Sequence, residues 1–108
     1  MAKSKIIAHL NDIFRKTGFG GKIVITEGIA NLNMSYQTEI FQIIRAFNDF
    51  TKDNDPYDEH DFGVVKIFEK SVFWKIDYFD RNSNYGSEDP TDPNQTKRVL
   101  TIMLAEEY

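Results

Sequence analysis

The hydrophobic positions fall into two stretches of helical period and several of strand period. Ile6, Ile7, Leu10, Ile13 and Phe14 recur every three or four residues, which predicts a helix from Ser4 to about Lys16, closed by Gly18. Gly20 and Gly21 then reset the backbone before Lys22–Thr26, a β-branched run of strand length punctuated by Glu27 and Gly28. Helical spacing returns at Ile40, Phe41, Ile43, Ile44, Phe47 and Phe50, with Ser35 or Thr38 available as a cap and Glu39 in the first turn.

From Asp53 to Asp61 turn formers and acids replace any apolar period, so this segment reads as a loop. Val64–Phe68 and Val72–Phe79 follow as two strands around Glu69-Lys70-Ser71. Period-two alternation puts Val72, Trp74, Ile76 and Tyr78 on one face and Phe73, Lys75, Asp77 and Phe79 on the other, the first being the expected core face. Asp80–Gln95, rich in Asn, Pro and acids, is a long irregular connection of the kind that is either functional or mobile. Val99–Ala105 mixes helix and strand formers and is read as a strand returning beside Trp74–Tyr78. The expected architecture is α+β: one domain over residues 1–108, with a three- or four-stranded, mainly antiparallel sheet and two helices on one face.

Composition narrows the setting. A chain of 108 residues closes one core and is too short for two. Cysteine is absent, which excludes disulfides, thiolate metal sites and a cysteine nucleophile. The longest apolar run is far short of the roughly 20 residues that span a bilayer, and Ile6–Leu10 is too short for a secretory core, so a cytoplasmic protein with no membrane partner is expected. The formal charge of −4 is uneven: residues 1–50 hold six Lys/Arg against four acids, residues 51–108 seven against thirteen. That bias argues against general nucleic-acid binding, while falling short of a phosphate-like row of carboxylates.

The candidate chemistry sits in the acidic half. Asp55, Asp58, Glu59, His60 and Asp61 place four carboxylates and an imidazole within seven residues, which could hold a divalent metal or pair His60 with a carboxylate for acid–base work. The spacing fits neither an EF-hand nor a zinc template, and no cofactor is expected. An Asx-rich turn, its side chains capping backbone amides, is the structural reading of the same residues. Lys75 and Asp77 share a strand face and could pair with the loop across the hairpin, as a structural or a catalytic couple. Gly18, Gly20 and Gly21 follow a helix and precede a strand, the reverse of a phosphate loop, and read as a turn.

Three segments together look familiar: Asn54-Asp55-Pro56-Tyr57-Asp58-Glu59-His60-Asp61-Phe62-Gly63, Phe73-Trp74-Lys75-Ile76-Asp77-Tyr78-Phe79-Asp80, and Arg98-Val99-Leu100-Thr101-Ile102-Met103-Leu104-Ala105-Glu106-Glu107-Tyr108. They resemble a small bacterial family of unknown function often met on plasmids and other mobile elements. Asp58 stands where that family usually has Gly, and Phe79 where it has Tyr. The resemblance implies no activity. Three functions are therefore weighed. The first is a non-catalytic binding or regulatory protein that presents Asp55, Asp58, Glu59, His60, Asp61, Glu88, Asp89 and Asp92 to a protein partner with a basic surface. The second is a metal-assisted enzyme with His60, Asp61 and Asp77 on one ion and Lys75 beside them. The third is a nucleic-acid module using Lys3, Lys5, Arg15, Lys16 and Lys22.

Overall fold

The structure is a computed structural model that describes residues 2–108. Its elements run α1 (Lys3–Thr17), β1 (Gly21–Ile25), α2 (Glu27–Ala30), α3 (Met34–Arg45), β2 (Phe62–Ile67), β3 (Lys70–Phe79) and β4 (Lys97–Leu104), followed by a 3₁₀ turn at Ala105–Glu107. The strands form one sheet in the order β1-β4-β3-β2. β3 pairs antiparallel with both β2 and β4, and β1 lies parallel to β4, with Ile23 opposite Leu100 and Ile25 opposite Ile102. The sheet is thus mainly antiparallel, as the spacing predicts, with one parallel pair at its edge.

Alternation decides which face is covered. Val65, Ile67, Val72, Trp74, Ile76, Leu100, Ile102 and Leu104 point to the helix side and join Phe14, Ile29, Ile40 and Ile44 in one apolar cluster. Fully burying a side chain of this size contributes about 1.5–3 kcal/mol, so this layer dominates stability. Trp74 is completely buried under Phe47 and Phe50, which meet it edge-on, and a Cβ at Gly63 would overlap its indole. The facing strand position must therefore be glycine. The other sheet face is open and carries Phe62, Val64, Phe73, Lys75 and Asp77, with Tyr108 packed edge-on against Phe62 and Phe73.

Several local details differ from the sequence expectation. α1 buries Ile7, Ala8, Asn11, Phe14 and Arg15, so its inward stripe includes two polar residues and turns Ile13 outward. α3 ends at Arg45, short of Phe47 and Phe50, and its cap is Asn33, whose side chain accepts from Tyr36 N–H, in place of Ser35 or Thr38. Arg15 explains that stop: its Nε and Nη2 donate to Ile44 O and Phe47 O, carbonyls that a longer helix would use internally. The one-turn helix α2 is absent from the spacing. It is held by Glu107, whose carboxylate accepts from Thr26 Oγ1, Gly28 N–H and Leu104 N–H. These donors hold the Glu107 carboxyl below its usual pKa, the Thr26 hydroxyl most strongly. The hairpin turn between β2 and β3 is Phe68-Glu69, shorter than the predicted connection, with Phe68 at φ 57°.

Candidate functional site

Topology gathers the acidic segments. β2 begins at Phe62 opposite Lys75, β3 ends at Phe79, and β4 begins at Lys97 opposite Phe79. The segment entering β2 and the connection from β3 to β4 therefore leave the same end of the sheet. The first is an Asx-type turn: Asp55, buried, accepts from the backbone N–H of Glu59 and His60. Asp58 and His60 both adopt φ 57°, left-handed backbone that Asp and His tolerate better than most residues. The second, Asp80–Gln95, is ordered by the same chemistry. Asp80 accepts from Asn82 and Asn84 N–H, Asp89 from Thr91 N–H and its hydroxyl, and Asp92 from Asn94 N–H and Gln95 Nε2. The Thr91 hydroxyl and amide together lower the Asp89 pKa.

Two residues buried between the helices and the sheet tie the loops together. Arg98, 3 % exposed, donates from Nη2 to Pro90 O and from Nε to Asn11 Oδ1 at 2.7 Å. Asn11, fully buried, donates in turn to Glu59 O at 2.9 Å and to Tyr78 Oη at 2.8 Å. Tyr78 donates its own proton to Glu59 Oε1 at 3.0 Å. One continuous chain of hydrogen bonds thus runs from the 88–92 loop through β4, α1 and β3 to the 53–61 loop. Burial pushes the Tyr78 hydroxyl far above the usual tyrosine range, so it stays a donor. Burial also lowers the Arg98 pKa, opposed by the nearby Tyr78 and Glu59. Its guanidinium lies 5.2 Å from the Tyr78 ring centroid, a placement that recovers part of the lost hydration.

His60 closes the other side of the loop. Its ring stacks on Phe50 with centroids 3.9 Å apart and planes 2° from parallel. Nδ1 lies 3.0 Å from Asp12 Oδ1, and Nε2 lies 3.8 Å from Asp55 Oδ2. Asp12 also takes Arg15 Nη1 at 2.9 Å. Beside this cluster Lys5, His9, Asp12, Asp58 and His60 line a shallow groove of about 460 Å³. Asp61 is half-buried and its pKa is raised to about 6, chiefly by loss of hydration and next by the charge of Glu59, with Asp55 and Asp77 adding to it.

The sequence candidates separate accordingly. Asp55, Glu59 and His60 meet in the loop, but as its internal struts. Asp89 and Asp92 cap turns. Among the described residues, Asp58 and Glu88 are exposed and have no side-chain hydrogen bond or ion pair. Lys75 and Asp77 pair with one another at 3.2 Å on the open face, where β-pleating directs them, and not with the loop. His60, Asp61 and Asp77 are therefore not brought together, because His60 lies against α1 on the opposite face. Among the described residues no three His, Asp or Glu side chains are grouped so as to hold a metal ion. Of the proposed nucleic-acid contacts, Arg15 is buried as the α3 cap. Asn11 and Arg98, the residues that unite the site, carry no sequence signal of their role: one lies within a helix stripe and the other in a strand.

Fold and site together define a small α+β domain whose buried polar residues bind two acidic loops into one end of a sheet. Residues 25–107 match DUF3768, a protein family of unknown function, and the chain belongs to that family. No curated protein and no solved structure matches it. No helix among the described residues is long and apolar enough to cross a membrane.

Proposed function

We propose that the protein is a non-catalytic binding or regulatory protein that offers its 53–61 and 88–92 loops, as one electronegative surface, to a partner protein with a basic surface. The supporting observation is the Pro90–Arg98–Asn11–Glu59 chain, which fixes the two loops relative to one another. A surface held in register before encounter binds with less loss of conformational entropy. Two groups capable of proton chemistry are engaged in holding that surface, Tyr78 with Glu59 and His60 with Asp12. Asp53, Asp58 and Glu88 remain outward, as does the ring of Tyr57. The motif resemblance supports a bacterial, mobile-element setting for this role.

Reversing one exposed charge on each loop, Asp53→Lys with Glu88→Lys, tests the proposal. Both positions lack side-chain partners, so stability should stay within about 0.5 kcal/mol while affinity for the physiological partner falls at least tenfold. The native chain should also lose that partner as salt shortens the Debye length from roughly 10 Å to 3 Å. Equal affinity for native and reversed chains contradicts the proposal.

A further inference from the structure

Where β3 ends and β4 begins, three cations converge although the molecule as a whole is acidic. Lys97 lies opposite Phe79 at the end of β3, Arg81 follows two residues beyond, and Lys22 sits on neighbouring β1 opposite Val99. Strand parity puts Lys22 and Lys97 on the same, open face of the sheet. Together with the Gly20-Gly21 turn and Pro93, they line a groove of about 430 Å³. None of the three cations takes part in an ion pair among the described residues. Three like charges around one concavity repel, and an anion placed among them removes that repulsion.

Arg81 also lines a second groove, of about 390 Å³, on its other side. There the wall is Tyr85, 76 % exposed, with the side-chain amides of Asn94 and Gln95. Two acids, Asp80 and Glu88, complete it, and the Asp80 carboxylate already accepts from two backbone N–H groups. Arg81 is common to the two grooves, so a cationic groove and one walled by an aromatic ring and amide groups are neighbours. A large aromatic left in solvent is a ready stacking platform for a planar ring, and amides beside it can read the ring's edge.

We propose that the two grooves act together across Arg81 as a nucleotide-binding site, with Lys22, Arg81 and Lys97 holding the phosphates and Tyr85 stacking on the base. Glu88 is common to this site and to the acidic surface, but Lys22, Arg81, Lys97 and Tyr85, which carry the binding, lie outside the 53–61 and 88–92 loops, so substitutions at those four test it separately.

Titration of the full chain with adenosine triphosphate, inorganic tripolyphosphate and adenosine at low salt tests the assignment. The nucleotide should bind saturably and more tightly than tripolyphosphate, and adenosine most weakly. Lys22→Ala with Arg81→Ala should weaken the nucleotide at least tenfold, whereas Lys66→Ala with Lys70→Ala, cations outside both grooves, should leave it unchanged. Tyr85→Ala should bring the nucleotide down to the affinity of tripolyphosphate without altering the latter. All five substituted positions in these controls and tests are surface side chains, and circular dichroism checks that the fold is retained. Absence of saturable nucleotide binding overturns the proposal, as does equal loss from both lysine-containing pairs of substitutions. Equal affinity for nucleotide and tripolyphosphate overturns the base-stacking assignment, and a strong preference for a single-stranded oligonucleotide over the mononucleotide overturns the small-ligand assignment.

Discussion

Asn11 makes three hydrogen bonds inside the molecule: both amide protons go to Glu59 O and Tyr78 Oη, and its oxygen accepts from Arg98. Replacing it with the similarly sized Leu leaves a buried guanidinium nitrogen and a carbonyl without partners. Unpaired buried groups of this kind cost about 1–3 kcal/mol each, so Asn11→Leu should lower stability by roughly 2–4 kcal/mol in urea unfolding. Asp61 acts in the opposite direction. Its folded pKa of about 6 exceeds the ordinary carboxylate value, so the native state holds the extra proton between about pH 4 and 6. Stability contributed there is greatest at low pH and falls as pH rises through 6. Asp61→Asn should raise the thermal midpoint at pH 7 and flatten its dependence on pH across that window. A native-like slope in the variant contradicts the assignment. At Asp58, φ of 57° is a conformation glycine adopts freely. Asp58→Gly should be neutral to stabilising, by up to about 1 kcal/mol, in the same unfolding assay.

Among the elements, α1 shows what a hydrophobic pattern can and cannot reveal. Its helical period was plain from Ile6 to Phe14, and so was the core face of β3 from Val72, Trp74 and Ile76, because alternation there is strict. Arg15 was not, since a charged residue in a helix is ordinarily solvated. Here it is 2 % exposed, joined to two carbonyls at the end of α3 and set 5.2 Å from the Trp74 ring centroid. Phe47 and Phe50 misled for the same reason: they continue the apolar stripe of α3 but reach the core from an irregular segment whose carbonyls Arg15 has taken. Arg15→Leu should destabilise the chain by about 3 kcal/mol, and Arg15→Lys should recover little of it, because one ammonium cannot match a planar fork reaching two carbonyls. Full recovery by lysine would show that charge alone matters there. α2 left no trace in the spacing because its support, Glu107, lies some eighty residues away.

At the scale of the molecule, the acidity of both loops could be read from the sequence, and so could the Asx-turn reading of Asp55. Their union could not, because it rests on residues separated by 48 and 87 positions along the chain. Nor could the parallel β1–β4 pair, which brings Lys22 beside Lys97 and Arg81. The strand order makes that end of the molecule the meeting place of loops that are distant in sequence, and the buried Asn11–Arg98 pair holds them in register. Amide hydrogen exchange in Asn11→Ala, compared with the native chain under conditions where both remain folded, tests this coupling most directly. Amides in the 53–61 loop and in the 87–92 segment should lose protection together, by at least tenfold, while those pairing β3 with β4 keep theirs. Loss confined to one loop, or unchanged protection in both, would show that the loops are held independently.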